Sequence, residues 1–382
     1  MAPPAGEVCA HLCLPVRMQV LTVVVDQLLA PVPGGTGRYA RQITAALARR
    51  PRPGWRVRTV TAWHRSTSAA VIPGVDGPRR LPAGRRALAE LWRRGLPPTV
   101  RGDRVLATTP LAPPRRHGLM VAVWDTVPWT HPETLTPRGA RWHREMITRV
   151  VRHADAIVVS SHAVAQELTD LFPAIAGRLT VIALGVTALP PPPDADARRR
   201  RLMLPERYVL SVATLEPRKG LDVLIAAVAE PALAGTHLVV VGQPGWGGVD
   251  VGSVAAAAGL PAQRLHRLGR LSDDDLAAVL AGATVLAAPS RAEGFGLPVL
   301  EAMAAGVPVV VSDAPALVEL AGSSGLVSRR DDPAGLAEAL GGVLSDPALA
   351  AELAARGRTR AAGYTWAAAA DRVWDLHVGT RV

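Results

Sequence analysis

Ser290-Arg-Ala-Glu293-Gly294-Phe295-Gly296-Leu297-Pro298-Val-Leu-Glu301-Ala-Met-Ala-Ala-Gly-Val-Pro-Val-Val310 lies between two apolar runs, residues 285–288 and 307–311. The segment reads as strand, glycine-flanked turn, helix from about Leu297–Pro298, and strand. Proline suits the first helical turn, where its missing N–H has no intrahelical partner to lose. The free N–H groups of that turn, at the positive end of the helix dipole, make a site for an anion. Gly294 and Gly296 allow close approach to the backbone. Glu293 is expected to point out of the loop, with Glu301 further along the helix. Two carboxylates flanking an anion site could each grip hydroxyls, one on a sugar and one on a ribose. Taken alone, the loop reads better as an ordinary strand–helix turn with solvated glutamates. Composition favours the site: the chain has two phenylalanines, one of them Phe295, and a single lysine, Lys219, in Thr214-Leu-Glu216-Pro-Arg218-Lys219-Gly220.

Outward from this segment, short apolar runs alternate with helical patterns, which implies parallel sheets with crossover helices. Strands are expected at 20–25, 57–62, 105–107, 119–123, 156–159 and 179–182, with helices at 38–50 and 142–152. A second set follows: strands 208–212, 238–241 and 265–268, alternating with helices 221–229, 251–258 and 273–281. The fold class is α/β, with two doubly wound units facing each other across a cleft. Residues 1–17 read as a disordered extension, 18–188 as the first domain and 205–365 as the second. Residues 366–382 read as a last helix. The proline run and Arg198–Arg201 within 189–204 read as a stiff linker.

The 382 residues suffice for two cores, filled mainly by Ala, Val and Leu because aromatics make up only 4%. The net charge of +11 is carried by arginines spread along the chain and suits an anionic partner. Zinc-finger spacing and an RNA-binding aromatic signature are both missing, which disfavours nucleic acid. Cys9 and Cys13 are the only cysteines, so the body has no disulfide framework and fits a cytoplasmic setting. No uninterrupted apolar run reaches membrane-spanning length.

Three further segments carry chemistry. Gly34-Gly35-Thr36-Gly37-Arg38-Tyr39 follows the first strand as a phosphate-type loop by position, although a plain tight turn accounts for it equally well. Arg218-Lys219 could neutralise a diphosphate, arginine by forking onto oxygens and lysine as a point charge. Asp125, at a strand's carboxyl end, either binds a hydroxyl, takes a proton or caps a turn. Asp194-x-Asp196 lies beside four arginines and reads as solvated, so no metal site is expected. The basic helix at 85–94, with Leu88, Leu91 and Trp92 on one side, either lies on an anionic membrane or makes ordinary core contacts.

Together these residues resemble the retaining glycosyltransferases of the GT-B fold, the large group called family four, over nearly all the chain from Met18. The resemblance rests on Glu293-x7-Glu301 around Gly-Phe-Gly-Leu-Pro, Glu216-Pro-Arg218-Lys219-Gly220 and the loop Gly34 to Tyr39. Trp124-Asp125-Thr-Val-Pro, Ser160-Ser161, Leu268-Gly-Arg270 and Tyr364-Thr-Trp366 add to it. It implies transfer of a hexose, mannose favoured, from a GDP- or UDP-linked sugar to a glycan, lipid-linked or small-molecule acceptor, without a metal or other cofactor. Arg218 and Lys219 would hold the diphosphate, Glu293 the donor sugar and Glu301 the ribose. Gly34, Gly35, Gly37, Asp125, Gly294, Phe295, Gly296, Leu297 and Arg270 would line the substrate site. The last helix would return to the first domain. Trp124 stands where the family usually has His, and Leu184-Gly185-Val186 where Asn-Gly-Val is common, which leaves the sugar open. A GT-B-type epimerase, a phosphorylase and an inactive nucleotide-sugar binder are the alternatives.

Overall fold

The computed structural model describes residues 17–114 and 117–379. The expected extension, with both cysteines, lies outside the described residues except for Arg17, whose guanidinium is 3.6 Å from Asp103. The first sheet contains β1 (Gln19–Val24), β2 (Trp55–Trp63), β3 (Asp76–Gly84), β4 (Arg104–Ala107), β5 (Leu119–Ala122), β6 (Ala156–Val159) and β7 (Leu179–Val181). The second contains β8 (Tyr208–Val212), β9 (His237–Val241), β10 (Leu265–Gly269), β11 (Val285–Ala288), β12 (Val309–Ser312) and β13 (Leu326–Ser328). Every ladder is parallel, as crossover helices require.

The strand orders are β3-β2-β1-β4-β5-β6-β7 and β10-β9-β8-β11-β12-β13. In each sheet the chain winds outward from its first strand, then jumps to that strand's other side. The order therefore reverses between β1 and β4, and again between β8 and β11. Loops leaving the carboxyl ends of the strands at such a point splay apart and leave a crevice. This places the loops after β8 and β11 side by side, although about 75 residues separate Arg218 from Glu293.

The central strands are sealed on both faces: Leu21, Val23, Val209, Leu210, Val285, Val309 and Val310 have no exposed surface. One apolar cluster runs from Leu21 and Tyr39 through Leu210 and Phe295 to Trp374, joining the two units. The last helix, Trp366–Gly379, lies against the first, Gly34–Arg49. Trp374 stacks edge-on to Trp55 at 5.8 Å, and Arg50 and Arg52 pair with Asp371 and Asp375. Among the described residues no helix is long and apolar enough to cross a membrane.

The structure corrects several sequence expectations. Residues 195–201 of the expected linker form the helix Ala195–Arg201, packed on the helix Asp273–Ala281; Arg198 reaches Asp275 at 2.8 Å and Arg201 reaches it at 2.7 Å. The arginine run lies beside a triple aspartate, so charge pairing orders what its proline neighbours suggested was a spacer. Arg198 and Arg199 also hold Asp194 and Asp196. Strand β3 escaped detection because Pro78 and Pro82 interrupt it, which only an edge strand tolerates. The apolar face of the helix Arg85–Arg93 is core: Leu88 and Trp92 are fully buried, and Trp92 Nε1 donates to Pro98 O at 2.8 Å. The charge is not evenly spread either. The first 188 residues hold 25 arginines against 11 carboxylates, whereas the remainder holds 18 basic residues against 21 acidic ones.

Candidate active site

Glu293 is the hub. After β11 the chain enters an irregular turn, and the Glu293 side chain, only 13% exposed, points back rather than out of the loop. Its Oε1 accepts from Lys219 Nζ and from Ser290 Oγ at 2.8 Å, and its Oε2 from Arg218 Nη1 at 3.2 Å. The expectation of an outward carboxylate fails because two adjacent cations from the β8 loop lie beside it. Burial works against its charge, but Lys219 and Arg218 outweigh that and hold the carboxyl at about 2. Glu293 is therefore a fixed anion at neutral pH.

Arg218 is similarly placed. Its guanidinium also donates to Ala292 O at 2.8 Å and to Glu216 Oε1 at 2.7 Å. Burial opposes its charge, yet Glu293, Glu216 and Asp125 together keep it protonated far above neutrality. The field of Asp125 thus reaches Arg218 from the other sheet. Asp125 itself is half-buried and accepts from Val127 N at 3.2 Å, which is the turn-capping role.

The glycines have separate purposes. Gly294 is squeezed between the two units: a Cβ there would lie 1.7 Å from Trp124 O, and its carbonyl accepts from Ser160 Oγ at 2.8 Å and Ser161 Oγ at 3.0 Å. The close approach at Gly294 is therefore protein, not ligand. Gly296 adopts φ +105° and begins the helix Leu297–Ala305. Among the described residues no backbone acceptor takes the N–H groups of Phe295, Gly296 and Leu297, so these stay available to an anion. Pro298 has no N–H, and Val299 N donates to Gly296 O at 2.9 Å. The Phe295 ring is core, 7% exposed and edge-on to Tyr364 at 5.9 Å.

Gly34 to Arg38 form no loop: the helix Gly34–Arg49 begins at once, with Gly34 and Gly35 exposed in its first turn. Gly35 faces Leu297, whose Cδ1 would be 3.5 Å from an added Cβ, so the two helix N-termini oppose each other across the cleft. Gly37 is required by Pro33, which a Cβ would meet at 2.5 Å. Arg270 lies exposed beyond β10 and makes no hydrogen bond or ion pair with the Glu293 cluster. Glu301 is 6% exposed and pairs with Arg38.

Sequence reasoning gave no role to Arg38, Ser160, Ser161, Ser290 or Glu319. The Glu319 carboxylate accepts from the N–H groups of His162 and Ala163 at 2.9 and 3.0 Å, capping a first-unit helix from the second unit. The serine pair at the end of β6 and Arg38, inside the Gly34-to-Tyr39 motif, left a visible sequence signal. Among the described residues no group of His, Cys, Asp and Glu is arranged to hold a metal ion.

Residues 194–360 match the family described as glycosyl transferases group 1. That stretch resembles a glycosyl transferases group 1 domain. It contains Arg218, Lys219, Glu293 and Glu301, so the crevice just described lies within the matched part, and only the opposing wall comes from outside it. The chain is 37% identical over 238 residues to a D-inositol 3-phosphate glycosyltransferase of Stackebrandtia nassauensis, a match covering 58% of this chain and 54% of that one. It is 34% identical over 241 residues to an MMP alpha-(1->4)-mannosyltransferase of Mycolicibacterium hassiacum, covering 60% and 56%. The chain thus spans about half the length of the curated relatives it matches. Among solved structures, sucrose-phosphate synthase from Thermosynechococcus elongatus superposes with a TM-score of 0.76 at 24% identity, covering 94% of this chain and 98% of that one. HepE of Anabaena, solved in complex with UDP and glucose, gives 0.75 at 18%, covering 94% and 100%. The two units together have the GT-B fold of these structures.

Proposed function

We propose that the protein is a glycosyltransferase that moves a hexose from a nucleotide diphosphate sugar to an acceptor held by the first unit. One observation carries this reading: Glu293 is fixed between Lys219 and Arg218, beside the opposed N-termini of the helices Gly34–Arg49 and Leu297–Ala305. Two cations and two helix N-termini converge where a diphosphate would lie, and a carboxylate sits among them to receive sugar hydroxyls. Such an array stabilises the departing nucleoside diphosphate by positive charge already in place. It can do so without a metal ion, and metal-independent turnover is part of the proposal.

The stereochemical reading is retention. In it the leaving phosphate takes the acceptor's proton as the new glycosidic bond forms on the face the phosphate leaves, so no separate protein base is needed. Mannose is the proposed sugar, in line with the mannosyltransferase among the relatives. HepE, solved with UDP and glucose, supports including UDP-linked donors beside GDP-linked ones. The excess of arginine in the first 188 residues suits an anionic acceptor, and one relative is named for D-inositol 3-phosphate. A body without cysteine suits a cytoplasmic enzyme.

The test is donor consumption by purified protein with GDP-mannose, UDP-glucose and related donors, with and without chelator. Turnover that survives chelation, and falls at least a hundredfold in both Glu293→Ala and Lys219→Ala, supports the reading. Full activity in both variants overturns the site, and loss on chelation overturns the metal-free claim.

A further inference from the structure

Glu301 is assigned above to the ribose, yet in the structure a side chain of the other unit holds it. Arg38, on the first helix, reaches across the cleft and pairs through Nη1 with Glu301 Oε1, while its Nη2 lies 3.9 Å from Asp273. Glu301 is 6% exposed and the Arg38 side chain 31%. A buried carboxylate has few ways to be satisfied, and a ribose binding there must take the place of this guanidinium. Arg38 would not go far. It stands within the first turns of the helix that begins at Gly34, and Gly35 of that turn already faces Leu297. Arg38 and Glu301 are each the fifth residue of their helices, so the guanidinium bridges the cleft about one turn from the gap between the two helix N-termini. That gap is where positive charge and free N–H groups converge, and a guanidinium forks well onto phosphate oxygens.

We propose that Arg38 is a donor-sensing residue. It competes with the nucleotide ribose for Glu301 and, once displaced, moves onto the donor diphosphate. The ribose thereby releases a cation that the diphosphate receives, so nucleoside and phosphate moieties bind cooperatively through one side chain. A nucleoside lacking phosphate breaks the pair and gains no replacement for it. The inference rests on the reading of Glu301 as the ribose partner.

The test is calorimetric titration of the full chain and of Arg38→Met with uridine, UDP, guanosine and GDP, with circular dichroism to confirm that the variant is folded. Methionine keeps an apolar stem and removes the fork. The expected result is that the variant binds the recognised nucleoside at least fivefold more tightly than the unaltered protein does. Its preference for the diphosphate over that nucleoside should fall at least tenfold. Arg38→Lys, which retains a point charge, should fall between. Unchanged or weaker nucleoside binding in Arg38→Met overturns the competition, and an unchanged diphosphate preference overturns the transfer. If the unaltered protein binds neither UDP nor GDP, the function reading fails and this inference with it. If it binds one of them and Arg38→Met behaves identically, only this inference fails.

Discussion

Ser161 and Gly294 belong to different units, 133 residues apart, and are joined by a 3.0 Å hydrogen bond from the serine Oγ to the glycine carbonyl. Ser160 Oγ donates to the same oxygen at 2.8 Å. The loop carrying Glu293 is thus held by the end of β6, and the space there admits no side chain. A Cβ on Gly294 would meet backbone, Trp124 O, at 1.7 Å, and backbone cannot rotate aside as a flexible side chain can. Gly294→Ala is expected to keep both units folded but prevent this approach. Donor turnover should fall at least a hundredfold and the radius of gyration from small-angle scattering should rise, with far-UV circular dichroism unchanged.

Glu319 offers a milder perturbation of the same contact. Its carboxylate caps the helix His162–Leu171 through two backbone N–H groups and His162 Nδ1 at 2.9 Å. Glu319→Gln keeps the shape and removes the charge from a helix N-terminus, a loss of about 1 kcal/mol in a partly exposed setting. The donor KM is expected to rise several-fold with little change in kcat, and the difference from the unaltered protein should shrink in high salt.

Two buried groups give acid sensitivity in separate pH windows. His377 is 3% exposed, and its burial first, then Arg104, depress its pKa from 6.5 to about 3. The native state resists a proton that the unfolded chain accepts, so stability is full above pH 6.5 and declines below it, by about 2 kcal/mol at pH 5. Glu293 is also depressed, from 4.5 to about 2. Its contribution, on the order of 3 kcal/mol, is present above pH 4.5 and lost as pH falls through 2. Denaturant unfolding across pH should show His377→Leu flattening the 6.5-to-4 limb and Glu293→Gln changing only the limb below 4.5.

The two carboxylates of the Glu293–Glu301 segment should fail in different ways. Glu293→Gln leaves Lys219 and Arg218 without their shared anion beside the transferred sugar, so kcat is expected to fall at least a hundredfold. Glu301→Gln weakens the ribose contact, so the donor KM should rise about tenfold while kcat holds within a few-fold. Steady-state kinetics with the identified donor separates them, and equal effects on both parameters would undo the division of labour.

Alternating apolar runs made most of the strands legible, because a strand sealed on both faces leaves a continuous signal such as residues 238–241 or 309–311. Edge strand β3 was not legible: four of its nine residues are exposed and two are prolines. Within the site, Arg218, Lys219 and Glu293 could be read from glycine punctuation and rare residue types. What could not be read is who partners whom. Nothing local reveals that Glu293 folds back onto Lys219, that Arg38 reaches Glu301, or that Gly294 is reserved for Trp124. Each of these depends on loops made adjacent by a strand-order reversal, or on the other unit. The arginine run at 198–201 misled for the same reason, since its partners Asp274 and Asp275 lie about 75 residues away.

Thermal unfolding in the presence of nucleoside diphosphates tests the donor site most directly. A ligand that binds only the native state, present at about a hundred times its dissociation constant, stabilises it by roughly 2.7 kcal/mol. The unaltered protein should be stabilised to that extent by UDP or GDP, whereas Lys219→Ala, with one of the two diphosphate cations removed, should respond at least tenfold more weakly in concentration. If neither nucleotide raises the unfolding temperature of the unaltered protein, or if Lys219→Ala responds just as it does, the donor site is not where Glu293, Lys219 and Arg218 meet.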